Sequence, residues 1–221
     1  MLKAVIFDMD GVIFDSELIH TALEAELFKK LGISLSVEEH NVYVGTTSHY
    51  MWNDLKTKYQ LTKVVNELVD IQRKNYDKYL CENDIVGSII DGVHKLIVNI
   101  FNNNLKLAVA SSSPINVIEK VIDIFDLDKY FNTLVTGDYV TESKPKPDIF
   151  LYAAEKLGVK PEECLVVEDS YNGVIAAKAA GMKCIGYINK NSGNQNLLNA
   201  DLIIDNFNII NIENLHKLFI E

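Results

Sequence analysis

Short apolar runs alternate along the chain with longer segments of helical periodicity, and this alternation restricts the fold more than any other feature of the sequence. Four of these runs have the length and composition of buried strands. They are Ala4 to Phe7, Lys106 to Ala110, Cys164 to Val167 and Lys183 to Tyr187. Because strands that alternate with helices favour a parallel sheet, we predict an α/β fold with a three-layer, Rossmann-like parallel-sheet core.

A long helical segment separates the first two predicted strands. Between Ser16 and Ile85 strand signals are few, and roughly seventy residues are far more than a single crossover connection needs. Helical spacing begins at the start of this segment and recurs from Lys63 to Tyr79. We therefore predict a catalytic core made of residues 1–15 and 86–221, with an inserted helical cap domain made of residues 16–85.

Composition limits the possible partners. The 221 residues are 48% hydrophobic and carry a net charge of -10, which argues against binding to a phosphate backbone but leaves a small anionic substrate possible. The three cysteines are odd in number, widely spaced and without a CxxC pair, so neither disulfides nor a zinc site is indicated. No apolar stretch approaches a membrane span or a signal-peptide core. We expect a cytoplasmic monomer that binds neither nucleic acid nor a membrane.

Polar residues recur where the predicted strands end. In an open parallel sheet, ligands bind beyond the carboxyl ends of the strands, so these residues are candidates for one site. Carboxylates, hydroxyls and a lysine are the groups needed to hold Mg²⁺ and a phosphate. The residues are Asp8 and Asp10 after the first strand, Ser111, Ser112 and Ser113 after the second, Lys144 after the strand-like Thr133 to Thr136, and Glu168 and Asp169 after Cys164 to Val167.

Four motifs carry a family resemblance. In chain order they are "DMDGV", "ASSS", "SKPKPDIF" and "VEDSYNGVIAAKAAGM". A DxDG motif alone is weak evidence for a family, but four motifs in the expected order at strand ends are specific evidence. On these motifs the chain resembles the haloacid dehalogenase superfamily of phosphoryl-transfer enzymes, and within it the β-phosphoglucomutase-like phosphatase group. The helical insert also matches the position of that group's cap domain.

The resemblance implies roles for four catalytic residues. Asp8 would be the nucleophile that forms an aspartyl phosphate, and Asp10 would protonate the leaving oxygen and then activate water. Family members that are dehalogenases lack the second aspartate, so its presence favours phosphoryl transfer. Ser111 would hydrogen-bond the transferring phosphoryl group, while Lys144 would balance its charge and orient Asp8.

The resemblance also implies a magnesium site. Asp8, Asp10, Glu168 and Asp169 would repel one another strongly without a cation. Mg²⁺ resolves this repulsion, with Asp8 and Asp169 as its carboxylate ligands and Glu168 further from the ion.

In this family the cap covers the site and contributes specificity. The segment "YVGTTSHYMW" is the candidate cap loop, with Met51 and Trp52 as packing residues. His20 fits equally an exposed helical position and a contact near the active site. The predicted substrate contacts are Ser111, Ser112, Lys144, His20, Gly45, Thr46, Thr47 and Ser48, with His49 as a further candidate.

Three polar residues have simple structural interpretations. Asp15 marks the hinge into the cap and is predicted to cap the first cap helix. Ser113 and Ser170 precede helical segments and are predicted to be N-caps.

The sequence favours a Mg²⁺-dependent phosphatase that hydrolyses small phosphomonoesters, with sugar phosphates as one option. A phosphosugar mutase is the alternative, and a non-enzymatic phosphate- or metal-binding relative is disfavoured because no catalytic motif is missing. In β-phosphoglucomutases a cap arginine and a lysine after the serine cluster hold the second phosphate. Ser48 or a neighbour and Pro114 stand in their places, although His49 or Lys56 could replace the charges.

Overall fold

The computed structural model describes residues 1–85 and 88–220. This part of the chain contains one six-stranded, fully parallel sheet. The strands are β1 (Ala4–Phe7), β2 (Lys106–Ser111), β3 (Thr133–Thr136), β4 (Cys164–Glu168), β5 (Lys183–Tyr187) and β6 (Leu202–Ile204). Their order in the sheet is β3-β2-β1-β4-β5-β6. The predicted α/β parallel-sheet fold is therefore confirmed, and β1 lies in the middle of the sheet.

Nine α-helices occur in the same described residues. They are α1 (Glu17–Leu31), α2 (Val37–Asn41), α3 (Ser48–Tyr59), α4 (Val65–Glu82), α5 (Val93–Asn102), α6 (Ile115–Ile124), α7 (Asp148–Leu157), α8 (Tyr171–Ala179) and α9 (Ile212–Lys217). The first four lie within residues 16–85, where the sequence predicted the helical insert.

The two faces of the sheet are buried against different helices, because successive residues of a strand point to opposite faces. In β1, Val5 and Phe7 join the apolar cluster that includes α5, α6 and α9. Ala4 and Ile6 join the second cluster, which includes α7 and α8. All four β1 side chains are completely buried. The result is the predicted three-layer core, with the sheet between two layers of helices.

The insert helices pack around an apolar cluster of their own. Trp52 is fully buried at its centre and Met51 is 3% exposed, so both residues pack as predicted. A separate cluster is consistent with a cap layer distinct from the core. The division at residues 15/16 and 85/86 stays a prediction, and residue 86 lies outside the described residues.

One strand of the sheet was not predicted from the sequence. β6 was not predicted, because its three residues, Leu202–Ile204, form a short edge strand with a weak pattern.

All three cysteines are free thiols, with Cys81 exposed and Cys164 and Cys184 buried. In the described part of the chain, no helix is both long and apolar enough to span a membrane.

Candidate active site

The central position of β1 brings the predicted motifs together. β1 pairs with β2 on one side and with β4 on the other, so that Phe7 lies level with Val109 and Val167. The segments that follow these residues therefore leave the sheet at one edge. Ser111 and Glu168 are the last residues of β2 and β4 rather than the first residues after them, a small correction to the predicted strand ends.

A buried lysine links two carboxylates at this edge. Lys144 is 1% exposed, and its Nζ lies 2.6 Å from Asp8 Oδ1 and 2.6 Å from Glu168 Oε1. Burial raises the pKa of Asp8 well above its usual value, with Glu168 and Asp10 acting in the same direction and Lys144 opposing them. The two carboxylates outweigh the burial of Lys144 and raise its pKa, so it is a permanent cation. Lys144 thus fixes the Asp8 carboxylate and partly balances its charge.

Asp10 lies in a shell of hydrogen-bond donors. Its Oδ1 accepts from Ser16 Oγ at 2.7 Å and lies 3.3 Å from His20 Nε2. Its Oδ2 accepts from Ser113 Oγ at 2.7 Å and from Ser111 Oγ at 3.2 Å. Burial would raise the pKa of Asp10, but these donors and the charge of His20 outweigh it and hold the pKa at about 2. In this arrangement Asp10 is an ionised carboxylate.

His20 is the charged partner of Asp10. Its hydrogen bond and ion pair with Asp10 outweigh the effect of burial and raise the pKa of His20 to about 9. Its ring stacks on that of Tyr76, with ring centroids 4.2 Å apart. Of the two interpretations left open by the sequence, the structure therefore has His20 in contact with the site.

The structure corrects the prediction for Ser113. Helix α6 has Pro114 at its N-cap, without a side-chain cap, so the prediction that Ser113 caps this helix is wrong. Its hydroxyl instead donates to Asp10. The signal was the spacing of two between Ser111 and Ser113, which allows both hydroxyls to reach the same carboxylate. Ser170, by contrast, is the N-cap of α8 as predicted, because its Oγ accepts from Gly173 N at 3.0 Å.

Asp169 lies against the loop that follows β1. A Cβ at Gly11, whose φ is +76°, would lie 2.0 Å from Asp169 Oδ2, so this approach requires glycine. Ser192 Oγ donates a hydrogen bond to the same carboxylate oxygen. Burial raises the pKa of Asp169 well above its usual value, and the charge of Glu168 adds to the effect. A cation placed beside Asp169 would favour its ionised form.

The loop after β5 supports the site, which the sequence did not indicate. Asn191 Nδ2 donates to both carboxylate oxygens of Asp15, at 3.1 and 2.9 Å, and Asn189 Nδ2 donates to the Gly11 carbonyl at 3.0 Å. The predicted capping role of Asp15 is wrong, since Ser16 is at the N-cap of α1 and α1 has no side-chain cap. A sequence rich in asparagine and glycine predicts a loop, but its long-range partners depend on the folded sheet.

Two of the four carboxylates that were predicted to bind metal are engaged by other groups in the structure. Within residues 1–85 and 88–220, no group of three or more His, Cys, Asp or Glu side chains is arranged to hold a metal ion. Asp10 is engaged by its hydroxyl and histidine donors, and Glu168 by Lys144 and by the Ser170 amide and hydroxyl, both at 2.9 Å. Asp8 and Asp169 are the remaining two, and a Mg²⁺ ion needs only one or two carboxylates together with water and phosphate oxygens. Metal binding by these residues stays a prediction.

A cavity extends from these carboxylates to the cap. Asp8, Asp10 and Asp169 line it on the core side. Ser111 and Lys144 contact two of these aspartates but are not among the described lining residues, so their direct contact with substrate stays a prediction. His49 does not line the cavity either. The predicted substrate-contact residues that do line it are His20, Gly45, Thr46, Thr47, Ser48 and Ser112.

The cap loop is attached to the core by direct contacts. Asn172 Nδ2 donates to the Val42 and Val44 carbonyls, at 3.1 and 2.9 Å, and Ser112 Oγ donates to the Gly45 carbonyl at 2.8 Å. A further contact joins α4 to the segment after β3, where an Arg73 guanidinium nitrogen lies 2.7 Å from Asp138 Oδ1. These contacts close the cavity from the cap side.

Comparisons with known proteins show which proteins the chain is similar to. The sequence model described as "Haloacid dehalogenase-like hydrolase" matches residues 5–187. The putative phosphatase YhcW of Bacillus subtilis is 36% identical over 198 residues, covering 87% of this chain and 86% of that protein. The phosphorylated carbohydrates phosphatase of Thermotoga maritima is 30% identical over 207 residues, covering 91% of this chain and 93% of that protein. Among solved structures, β-phosphoglucomutase from Clostridium difficile is similar with a TM-score of 0.87 and 25% identity, covering 99% and 97% of the two chains.

Proposed function

The chain belongs to the haloacid dehalogenase-like hydrolase family, and from that premise we propose that it is a Mg²⁺-dependent phosphatase acting through an aspartyl-phosphate intermediate. Its substrates are small phosphomonoesters, sugar phosphates among them. The names of its phosphatase and β-phosphoglucomutase relatives support chemistry on phosphate esters.

Asp8 is the proposed nucleophile. A carboxylate oxygen of Asp8 forms a bond to phosphorus while the bond from phosphorus to the leaving alcohol oxygen breaks. Lys144 supports this role because its Nζ, 2.6 Å from Asp8 Oδ1, leaves the other carboxylate oxygen for attack. The position of Asp8 on the cavity wall gives the substrate access to it.

Asp10 is the proposed acid and base. Without substrate it is ionised, which is the form that takes a proton from water when the aspartyl phosphate is hydrolysed. In the first step it must carry a proton to the leaving oxygen. An incoming phosphate brings like charge beside the carboxylate, and like charge raises a carboxyl pKa. The substrate itself therefore favours the protonated form that the first step requires.

Mg²⁺ would be held by Asp8 and Asp169. Both carboxylates are buried, both have raised pKa values, and Lys144 is already shared with Glu168. When bound, the ion would neutralise the carboxylates and the charge that develops on the phosphoryl oxygens. Asp169 packs closely against Gly11 and accepts a hydrogen bond from Ser192. Both contacts are consistent with a metal-ligating carboxylate held in a fixed orientation.

The residues that line the cavity favour hydrolysis over mutase activity. Ser48 and Pro114 line the cavity. By the family resemblance, Pro114 and either Ser48 or a near neighbour stand in place of the two cations that hold the second phosphate in β-phosphoglucomutases. The two candidate replacements are not among the described lining residues. Lys56 Nζ donates instead to the Leu61 and Lys63 carbonyls, at 2.7 and 2.8 Å. A bisphosphate intermediate would therefore be held weakly, and water would complete the reaction.

Mutase activity is the second candidate function because of one residue in the cavity, Arg73. Arg73 lines the cavity, and its Nε is buried without a hydrogen-bond partner among the described residues. A second phosphate that displaced Asp138 from Arg73 would gain a charged partner.

The deciding experiment follows both products from β-glucose 1-phosphate with Mg²⁺ and a trace of the glucose bisphosphate as primer. We expect inorganic phosphate to appear faster than glucose 6-phosphate. Asp8→Asn protein, purified in parallel, identifies contaminating phosphatase. Glucose 6-phosphate forming much faster than phosphate would contradict hydrolysis and favour the mutase, while neither product across a panel of phosphorylated metabolites would contradict both.

A further inference from the structure

The cap side of the cavity carries a buried hydrogen-bonded cluster that the proposed chemistry does not use. At its centre Glu24 is 8% exposed, and both of its carboxylate oxygens are engaged. His40 Nε2 lies 2.6 Å from Oε2, and Gln72 Nε2 donates to Oε1 at 2.7 Å. The fully buried Trp52 in turn donates its Nε1 to Gln72 Oε1 at 2.7 Å. This chain of contacts fixes the orientation of Glu24.

The same wall is acidic. Glu17 and Glu24 both line the cavity. Each carboxylate oxygen can accept more than one hydrogen bond, so Glu24 retains acceptor capacity beyond its two protein partners.

An unsatisfied hydroxyl provides a second, independent observation. Tyr76 lines the cavity and is 4% exposed, and its Oη, which lies near Ser16 and Asp10, makes no hydrogen bond of full geometry to any described residue. Buried hydroxyls without a partner are rare and costly, so this group is expected to find one in a bound ligand. A ligand hydroxyl can serve, since it both donates and accepts.

We infer that Glu24, held by His40 and Gln72, is a specificity-determining residue that selects phosphomonoesters with a neutral, hydroxyl-rich body over those with a second anionic group. This inference rests on the proposed phosphatase function and names the substrate class for the same cavity. Substrate hydroxyls donate to the Glu24 carboxylate, with Tyr76 as a further partner.

The discrimination follows from the hydrogen-bonding chemistry of the substrate. A hydroxyl can donate a hydrogen bond to the Glu24 carboxylate, whereas a carboxylate or second phosphate beside Glu24 sets acceptor oxygens against acceptor oxygens. Arg73, a cation that could attract such an anion, already pairs with Asp138 at 2.7 Å, and an anion would have to displace Asp138 to use the guanidinium fully. His40 is likewise paired with Glu24 itself.

The test compares two probes with the same carbon chain and phosphate position. Glucitol 6-phosphate has an alcohol at C1, and 6-phosphogluconate has a carboxylate there. We expect wild-type kcat/KM to favour glucitol 6-phosphate by at least tenfold, which corresponds to about 1.4 kcal/mol. Glu24→Gln is expected to reduce that ratio at least fivefold, a change of about 1 kcal/mol. Glu26→Gln, the same substitution at an exposed position of the same helix, should leave the ratio unchanged.

Two further measurements separate the inference from the proposed function. Hydrolysis of p-nitrophenyl phosphate reports the phosphatase chemistry without a hydroxyl-rich body. Calorimetric binding of both probes to the Asp8→Asn protein with Mg²⁺ reports the preference without turnover or a change at Glu24. Equal binding, tighter binding of 6-phosphogluconate, or no binding of glucitol 6-phosphate would overturn the inference. Preferential binding of glucitol 6-phosphate without hydrolysis of any ester would support it and contradict the phosphatase.

Discussion

At the scale of single residues, Asp8 is held in a state that suits a nucleophile. Burial and the neighbouring carboxylates of Asp10 and Glu168 disfavour its ionised form, and Lys144 provides the compensating charge. A buried carboxylate with limited solvation is a stronger nucleophile than one in water, provided that it stays ionised. In the proposed nucleophile role, this arrangement would exchange local stability for reactivity, which is common at catalytic sites.

The first prediction concerns this trade. Asp8→Asn should reduce kcat at least a thousandfold, about 4 kcal/mol in activation free energy, because a carboxamide does not attack phosphorus as the carboxylate does. The fold should persist, since Lys144 keeps its 2.6 Å contact with Glu168, and the metal-free thermal midpoint should stay level or rise. Turnover and circular-dichroism melting check both parts, with Asp123→Asn on the exposed face of α6 as the control. Near-native turnover in the purified variant would disprove the nucleophile assignment.

At the scale of elements, the cap loop between α2 and α3 depends on close backbone contact with the core. Gly45 has φ +78°, and a Cβ there would lie 2.3 Å from Ser170 Oγ. The same residue's carbonyl accepts the hydrogen bond from Ser112. The loop can line the cavity only while this approach is possible.

The second prediction uses two glycines of the cap that share a left-handed conformation. Gly45→Ala should lower kcat/KM for a sugar phosphate about tenfold, because strain of about 1 kcal/mol is joined by a clash with Ser170. Gly32 has φ +70°, and a Cβ there would meet nothing within 4 Å. Gly32→Ala should therefore lower the stability by about 1 kcal/mol and leave kcat/KM unchanged. Kinetics and thermal unfolding of both variants separate the clash from the strain. An equal loss of kcat/KM in both would argue against the loop contact.

The third prediction concerns the ion pair between α1 and α2. The hydrogen bond from His40 to Glu24 raises the pKa of His40 above its usual 6.5. A raised histidine pKa adds stability that is complete below the unfolded value and is lost as pH rises through the folded value. His40→Gln should therefore cost on the order of 1 kcal/mol near pH 6 and progressively less toward pH 9. Urea unfolding at both pH values tests this, with His49→Gln as the cap control; a constant or growing cost would contradict it.

At the scale of the whole molecule, the sequence predicted the arrangement that follows from strand order and missed side-chain contacts between distant elements. The order of the motifs was enough to bring Asp8, Lys144 and Glu168 together, since parallel strands end at one edge. The pairs Glu24–His40 and Arg73–Asp138 join residues on different elements, the second pair 65 positions apart. No local periodicity encodes such contacts, because they arise only when the cap helices pack and close on the core.

The fourth prediction follows from the charge of the assembled site. Four buried or half-buried carboxylates, from β1, β4 and the residues after them, face two cationic partners, Lys144 and His20. Folding without a divalent ion leaves Asp8 and Asp169 poorly compensated, so Mg²⁺ should bind the folded protein preferentially. At a hundred times its Kd, a ligand of this kind adds about 2.7 kcal/mol of stability.

Adding Mg²⁺ to EDTA-treated protein should therefore raise the thermal midpoint as well as restore activity, and the two effects should share one concentration dependence. Asp169→Asn should weaken both, because it removes one of the two carboxylates that fit the ion. Asp205→Asn, an exposed position beyond β6, should change neither. Thermal melting and phosphate release across a Mg²⁺ titration measure the two curves independently. Full activity in verified metal-free protein would refute the metal requirement, whereas restored activity without a stability shift would mean that the ion enters with the substrate rather than binding the free site.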